Sequence, residues 1–113
     1  MVRLVMLVVI ILTSASTEAA AQEEGRSLIG AGTVNSCGQW TSRPRSGGDI
    51  LSQWVAGYLS GLNMKSDFDG VAGTDFNGLM AWIDNYCRSH PLEPVATAAF
   101  RLMDELQSRA QRR

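Results

Sequence analysis

Cys37 and Cys87 are the only two cysteines in the 113 residues, and they allow a single intramolecular bond. In an oxidising compartment an even pair of this kind reads as a disulfide. Closing a loop of about 50 residues stabilises a small domain by roughly 4 kcal/mol in the chain-entropy treatment. That is a large part of the whole stability such a domain is expected to have. A metal site fits less well. His90 is the lone histidine, so the two thiols and one imidazole lack a fourth ligand and the short Cys spacing of zinc sites.

The N-terminus argues for that compartment. Arg3 precedes an apolar run over residues 4–12, and small and polar residues follow it to Ala19-Ala20-Ala21. This is the layout of a secretory signal peptide, expected over residues 1–21. Its apolar run is too short to span a bilayer. With no cysteine near Ala21 to carry a lipid, the expected product is a soluble exported chain beginning at Gln22. The apolar content of 45% is inflated by that leader. Ten basic residues stand against eleven acidic ones, net −1, which gives no reason to expect a nucleic-acid partner. The length suits one domain with a modest core. It excludes a multidomain protein, and the composition excludes a membrane-spanning bundle and a disulfide-dense scaffold.

Glycines interrupt residues 22–41, which read as a flexible arm that becomes ordered near Cys37 and Trp40. The helical domain follows over 42–113, opening with a loop at 42–48. Residues 49–64 place Ile50, Leu51, Trp54, Val55, Tyr58, Leu59 and Leu62 at the spacing of a buried helical face. Gly57 and Gly61 share one side of that helix. Glycine inside a helix costs about 1 kcal/mol against alanine, so the pair predicts close packing of another backbone in preference to a ligand groove. Asn63 is expected to end the helix in a left-handed cap. Residues 75–89 form a second helix, with Phe76, Leu79, Met80, Ile83, Tyr86 and Cys87 inward and Trp82 flanking them. Residues 93–110 form a third, with Val95, Ala98, Ala99, Leu102 and Leu106 inward, widened by Phe100 and Met103. No alternating run reads as a strand. The expected fold is an all-α bundle of three main helices with one disulfide and three tryptophan anchors, Trp40, Trp54 and Trp82.

No constellation in the chain points to catalysis. Ser36, Ser60 and Ser66 lack a nucleophile-elbow context. His90 sits at a helix end beside Pro91, as a surface or capping residue. The Asp67-Phe68-Asp69-Gly70 string is followed by Val71 and Gly73 where a calcium loop needs further ligands, so 65–74 reads as a solvated interhelix loop. Asp84, Asp104 and Glu105 fall on the polar faces of the second and third helices and read as a solvated face with some ion pairing. Arg109, Arg112 and Arg113 complement the C-terminal dipole of the third helix. The reading is a non-enzyme without metal or cofactor that acts by presenting a surface to another protein.

Four segments carry a resemblance. They are Cys37-Gly-Gln-Trp40, the run from Trp54 through Gly57, Tyr58 and Gly61 to Asn63, the Trp82-Ile-Asp-Asn-Tyr-Cys87 segment, and His90-Pro91-Leu92 leading into an alanine-rich helix. Together, over about 36–106, they resemble the small periplasmic helical proteins that include the HdeA/HdeB acid-stress chaperones and the Rap/Tai-type immunity proteins of type VI secretion amidase effectors. The resemblance implies a disulfide-bonded helical bundle in a Gram-negative periplasm. It implies one of two jobs: sheltering acid-denatured periplasmic clients, or capping a secreted peptidoglycan amidase. For the first, protonating the carboxylates near pH 4 would take the exported chain from near neutral to roughly +11, favouring opening by self-repulsion.

Overall fold

A computed structural model describes residues 26–113, and the leader expected at 1–21 lies outside the described residues. Five helices occupy it: α1 (Ala31–Val34), α2 (Cys37–Thr41), α3 (Ile50–Lys65), α4 (Phe76–Ser89) and α5 (Val95–Gln111). Side-chain caps set three of their starts. The Asp49 carboxylate accepts the Ser52 N–H at 3.0 Å, and that of Asp75 accepts the Gly78 N–H at 2.7 Å. Ser36 and Gln39 form a reciprocal capping box at the head of α2. Pro94 precedes α5, where its missing N–H leaves no helical bond unmade. His90, followed by Pro91, closes α4.

α5 is the middle of the domain. It packs against α3 on one flank and α4 on the other, while α3 and α4 share little direct contact. Its composition explains this position. Val95, Ala96, Ala98, Ala99, Leu102, Met103 and Leu106 are all buried, a stripe wide enough to face two neighbours. The small side chains of Ala98 and Ala99 let both approach. α3 contributes Val55 and Leu59 to this core, and α4 contributes Met80, Ile83 and Cys87. Phe100 and Ile50, expected inward, are exposed instead.

α2 packs on α4 and is bonded to it through Cys37–Cys87. Its approach to α5 is stitched by backbone bonds. The Cys37 N–H donates to the Glu93 carbonyl at 2.7 Å and the Val95 N–H to the Asn35 carbonyl at 3.0 Å. These flank an isolated antiparallel bridge between Ser36 and Pro94, and no strand occurs among the described residues.

Three expectations change. The stretch read as an arm is helical and packed from Ala31 onward, because the Trp54 indole reaches across to it. Trp54 Nε1 donates to the Ile29 carbonyl at 2.9 Å. A Cβ on Gly30 or Gly32 would stand 2.3 or 2.1 Å from the Trp54 ring, so both positions need glycine for contact, and Gly30 also has φ +109°. The close approach expected at Gly57 and Gly61 is absent: a Cβ at either meets nothing within 4 Å. Finally, α3 runs past Asn63 to Lys65, and the Asn63 side chain instead ties down the next loop. Its amide donates to Asp69 at 2.9 Å and its carbonyl oxygen accepts the Gly70 N–H at 2.8 Å.

Candidate functional site

Arg43 follows α2 in the loop to α3 and turns its side chain inward. The guanidinium carbon lies 3.5 Å from the centroid of the Trp40 ring. Nη1 donates to Asp84 Oδ1 and to the Trp40 carbonyl, each at 3.0 Å, and Nε donates to Ser52 Oγ at 3.0 Å. Nε also stands 3.5 Å from Asp49 Oδ2. Trp40 Nε1 donates to the same Asp84 oxygen at 2.8 Å, and Arg45 holds the other at 3.0 Å. The Arg43 side chain is 7% exposed, Asp49 8% and Asp84 16%. One buried cation therefore joins α2, the head of α3 and the middle of α4, in the place where α3 and α4 scarcely meet. Buried charges persist where such pairing offsets their desolvation.

Both carboxylates are held below their ordinary value of 3.8. Burial is the largest single influence on Asp84 and pushes it up; hydrogen bonds from Trp40, Arg43 and Arg45 and the Arg43 charge together outweigh it. Burial likewise pushes Asp49 up, and backbone and side-chain hydrogen bonds from Ser52 with the Arg43 charge prevail. Asp49 Oδ1 is buried without a hydrogen-bond partner among the described residues.

Two further ring donors meet carboxylates. Trp82 Nε1 donates to Glu105 and the Tyr86 hydroxyl to Glu93, linking α4 to α5 and to the turn before it. Burial first, then Glu93, raises the Tyr86 hydroxyl above 10.0, opposed in part by Arg101. Trp82, Tyr86 and His90 stack at successive turns, with centroids 5.4 and 4.1 Å apart. His90 Nδ1 lies 2.8 Å from the Tyr86 carbonyl. Asp84, read from sequence as part of a solvated face, is thus the acceptor that the buried Trp40 indole requires, while Glu105 keeps the exposed, ion-paired character expected of it and also accepts from the half-buried Trp82. The signal was present in the sequence: three tryptophans in so small a core must each find a partner for the ring N–H.

The structure joins Cys37 and Cys87, with sulfurs 2.08 Å apart. It sets Trp82 and Tyr86 beside each other on α4, and Trp54 and Tyr58 on α3 with centroids 5.0 Å apart. Gly57 and Gly61 remain at the surface of α3, away from the Arg43 node. A groove of about 540 Å³ opens between residue 28, α3 and α5, lined by Leu28, Tyr58, Leu62 and Phe100 and rimmed by Arg26 and Arg101.

The node's chemistry is that of a clasp built on ionised carboxylates. Its carboxylates accept hydrogen bonds from groups that cannot release their protons near neutral pH, so they fasten elements together. Among the described residues no three His, Cys, Asp or Glu side chains stand close enough to hold a metal ion, and no helix is long and apolar enough to cross a membrane. Compared with known proteins, the chain matches no family model, no curated protein and no solved structure.

Proposed function

We propose that this chain is a non-enzymatic protein-binding domain of the bacterial periplasm, an acid-stress chaperone of the HdeA/HdeB type or a relative of one. The observation that supports this most is the Arg43 clasp. α3 and α4 are bridged by carboxylates that ion-pair with Arg43 only while ionised, and Asp84 also accepts the Trp40 indole. Protonation weakens the clasp and leaves the Arg43 and Arg45 charges unopposed. The domain then opens where α3 and α4 have little contact of their own, baring the apolar stripe of α5 to denaturing clients. Cys37–Cys87 keeps the opened chain compact. The test is circular dichroism and a client-aggregation assay across about pH 2–7. Loss of fixed tertiary packing with suppressed client aggregation is expected as pH falls below 3.8 through the lowered values of Asp49 and Asp84. A chain that stays packed and protects nothing there is not such a chaperone.

A second reading, an immunity protein for a secreted peptidoglycan amidase, draws support from the interhelix loop 65–74, which exposes Phe68 between Asp67 and Asp69. It predicts one tight complex with a hydrolase at neutral pH, lost on Phe68→Ala.

A further inference from the structure

The groove between α3 and α5 differs from the rest of the surface in its charge. The chain is close to neutral, net −1. Yet this groove has Arg26 and Arg101 on its rim and no carboxylate among its described lining residues, while Leu28, Tyr58, Leu62 and Phe100 make its walls largely apolar. Arg101 also approaches the Tyr86 hydroxyl, which donates a hydrogen bond to Glu93. The groove does not end at Leu28. A shallower hollow of about 400 Å³ adjoins it, sharing Leu28 and Tyr58; Ile29, Trp54 and Gly57 line it together with the polar Ser27 and Gln53, and no charged residue is among its described lining residues. The two hollows make one apolar track on the outer side of α3, with cations at one end only.

Gly57 belongs to that track. A mid-helix glycine costs about 1 kcal/mol against alanine, and no neighbour inside the domain requires it, because a Cβ there meets nothing within 4 Å. Its missing side chain keeps the floor of the track open to something from outside.

We infer that this track docks an extended acidic–apolar segment of another protein, with aliphatic or aromatic side chains seated along α3 and carboxylates opposite Arg26 and Arg101. Charge decides the occupant. Two arginines and no carboxylate among the described residues that line the groove favour a segment carrying Asp or Glu beside its apolar residues, and disfavour a basic one. Arginine also suits the task by its planar fork of donors, which meets a carboxylate in two bonds. The inference rests on the protein-binding half of the function proposed above and on nothing in acid opening: it concerns the folded domain at neutral pH.

The test uses the oxidised exported protein and two fluorescein-labelled synthetic peptides, Leu-Asp-Phe-Glu-Leu-Asp and its counterpart with lysine at each acidic position. Fluorescence anisotropy at neutral pH should show saturable binding of the acidic peptide and none of the basic one. Arg26→Glu with Arg101→Glu should weaken the acidic peptide by about tenfold or more and admit the basic peptide, since reversing a complementary charge reverses the preference. Gly57→Leu, which fills the floor without touching charge, should weaken the acidic peptide as well. Circular dichroism establishes that each variant is folded. Equal binding of both peptides, binding indifferent to charge reversal, or no binding at about millimolar peptide overturns the inference. So does sedimentation equilibrium showing self-association that the same charge reversals abolish, because the track then belongs to a second copy. Client protection at acid pH without peptide binding at neutral pH overturns the docking track and leaves the chaperone reading standing.

Discussion

Replacing Arg43 with methionine keeps most of the side chain's volume and its contact with Trp40 while deleting the charge and its donors. The structure sets the size of the effect. The substitution removes the bonds to Asp84, Ser52 and the Trp40 carbonyl and strands two largely buried carboxylates, Asp49 and Asp84. Breaking a buried ion pair by removing one partner costs about 3–5 kcal/mol. Asp84 keeps Trp40 and Arg45, and Asp49 keeps the Ser52 N–H, so the lower end applies. A loss of about 3 kcal/mol in a domain of this length lowers Tm by roughly 12–24 °C. Urea and thermal unfolding at pH 7, with the disulfide intact, measure it. Asp84→Asn alone and the double variant complete a cycle, in which the double loss should fall short of the summed single losses by about 0.5–3 kcal/mol. An Arg43→Met protein within about 1 kcal/mol of the parent would show the guanidinium acting as an ordinary surface charge and would refute the clasp.

Acid should act on the same node. Asp49 and Asp84 have folded-state values below 3.8, so the stability they contribute is complete above that value and drains away as pH falls through their lowered values. Unfolding free energy measured by urea from pH 7 downward should decline in that window, and Asp84→Asn should flatten the decline. The glycines divide by neighbourhood. Gly61→Ala should raise stability by roughly 0.5–1 kcal/mol, since the helix gains and no neighbour is met. Gly32→Ala drives a Cβ into the Trp54 ring and should lower stability by about 1–3 kcal/mol and shift Trp54 fluorescence. Cys87→Ser should remove roughly 4 kcal/mol in chemical denaturation, and a loss under about 1 kcal/mol would leave the bond without its assigned structural weight.

The long helices are legible because their information is local. Periodicity and the caps at Asp49 and Asp75 place α3 and α4 within a residue of their observed starts, and the inward stripe of α5 is read nearly in full. What escapes a reading of sequence is long-range. Arg43 is one of ten basic residues, and nothing near it says that its partner lies 41 positions on. α1 has four residues and too little propensity to stand alone; the ring 22–24 positions downstream that holds Gly30 and Gly32 defines it. The glycine pair at Gly57 and Gly61 misled because helix propensity reports a cost without saying whether the reason lies inside the domain or beyond it. Asp84 was misplaced by treating a helix's polar face as a wet one, when the neighbouring Trp40 indole and Arg43 dry part of it.

The sulfur bridge runs from α2 to α4, so the covalent ring it closes contains α3 and leaves α5 outside. The helix around which everything is arranged therefore lies outside the ring, joined to it by the peptide chain that follows Cys87 and by its contacts with the other helices. Pivoting at the turn after Cys87, it can leave the ring without passing through it, and on return it meets helices whose mutual spacing the bridge still limits. Such a chain can part and reassemble repeatedly with its wiring unchanged.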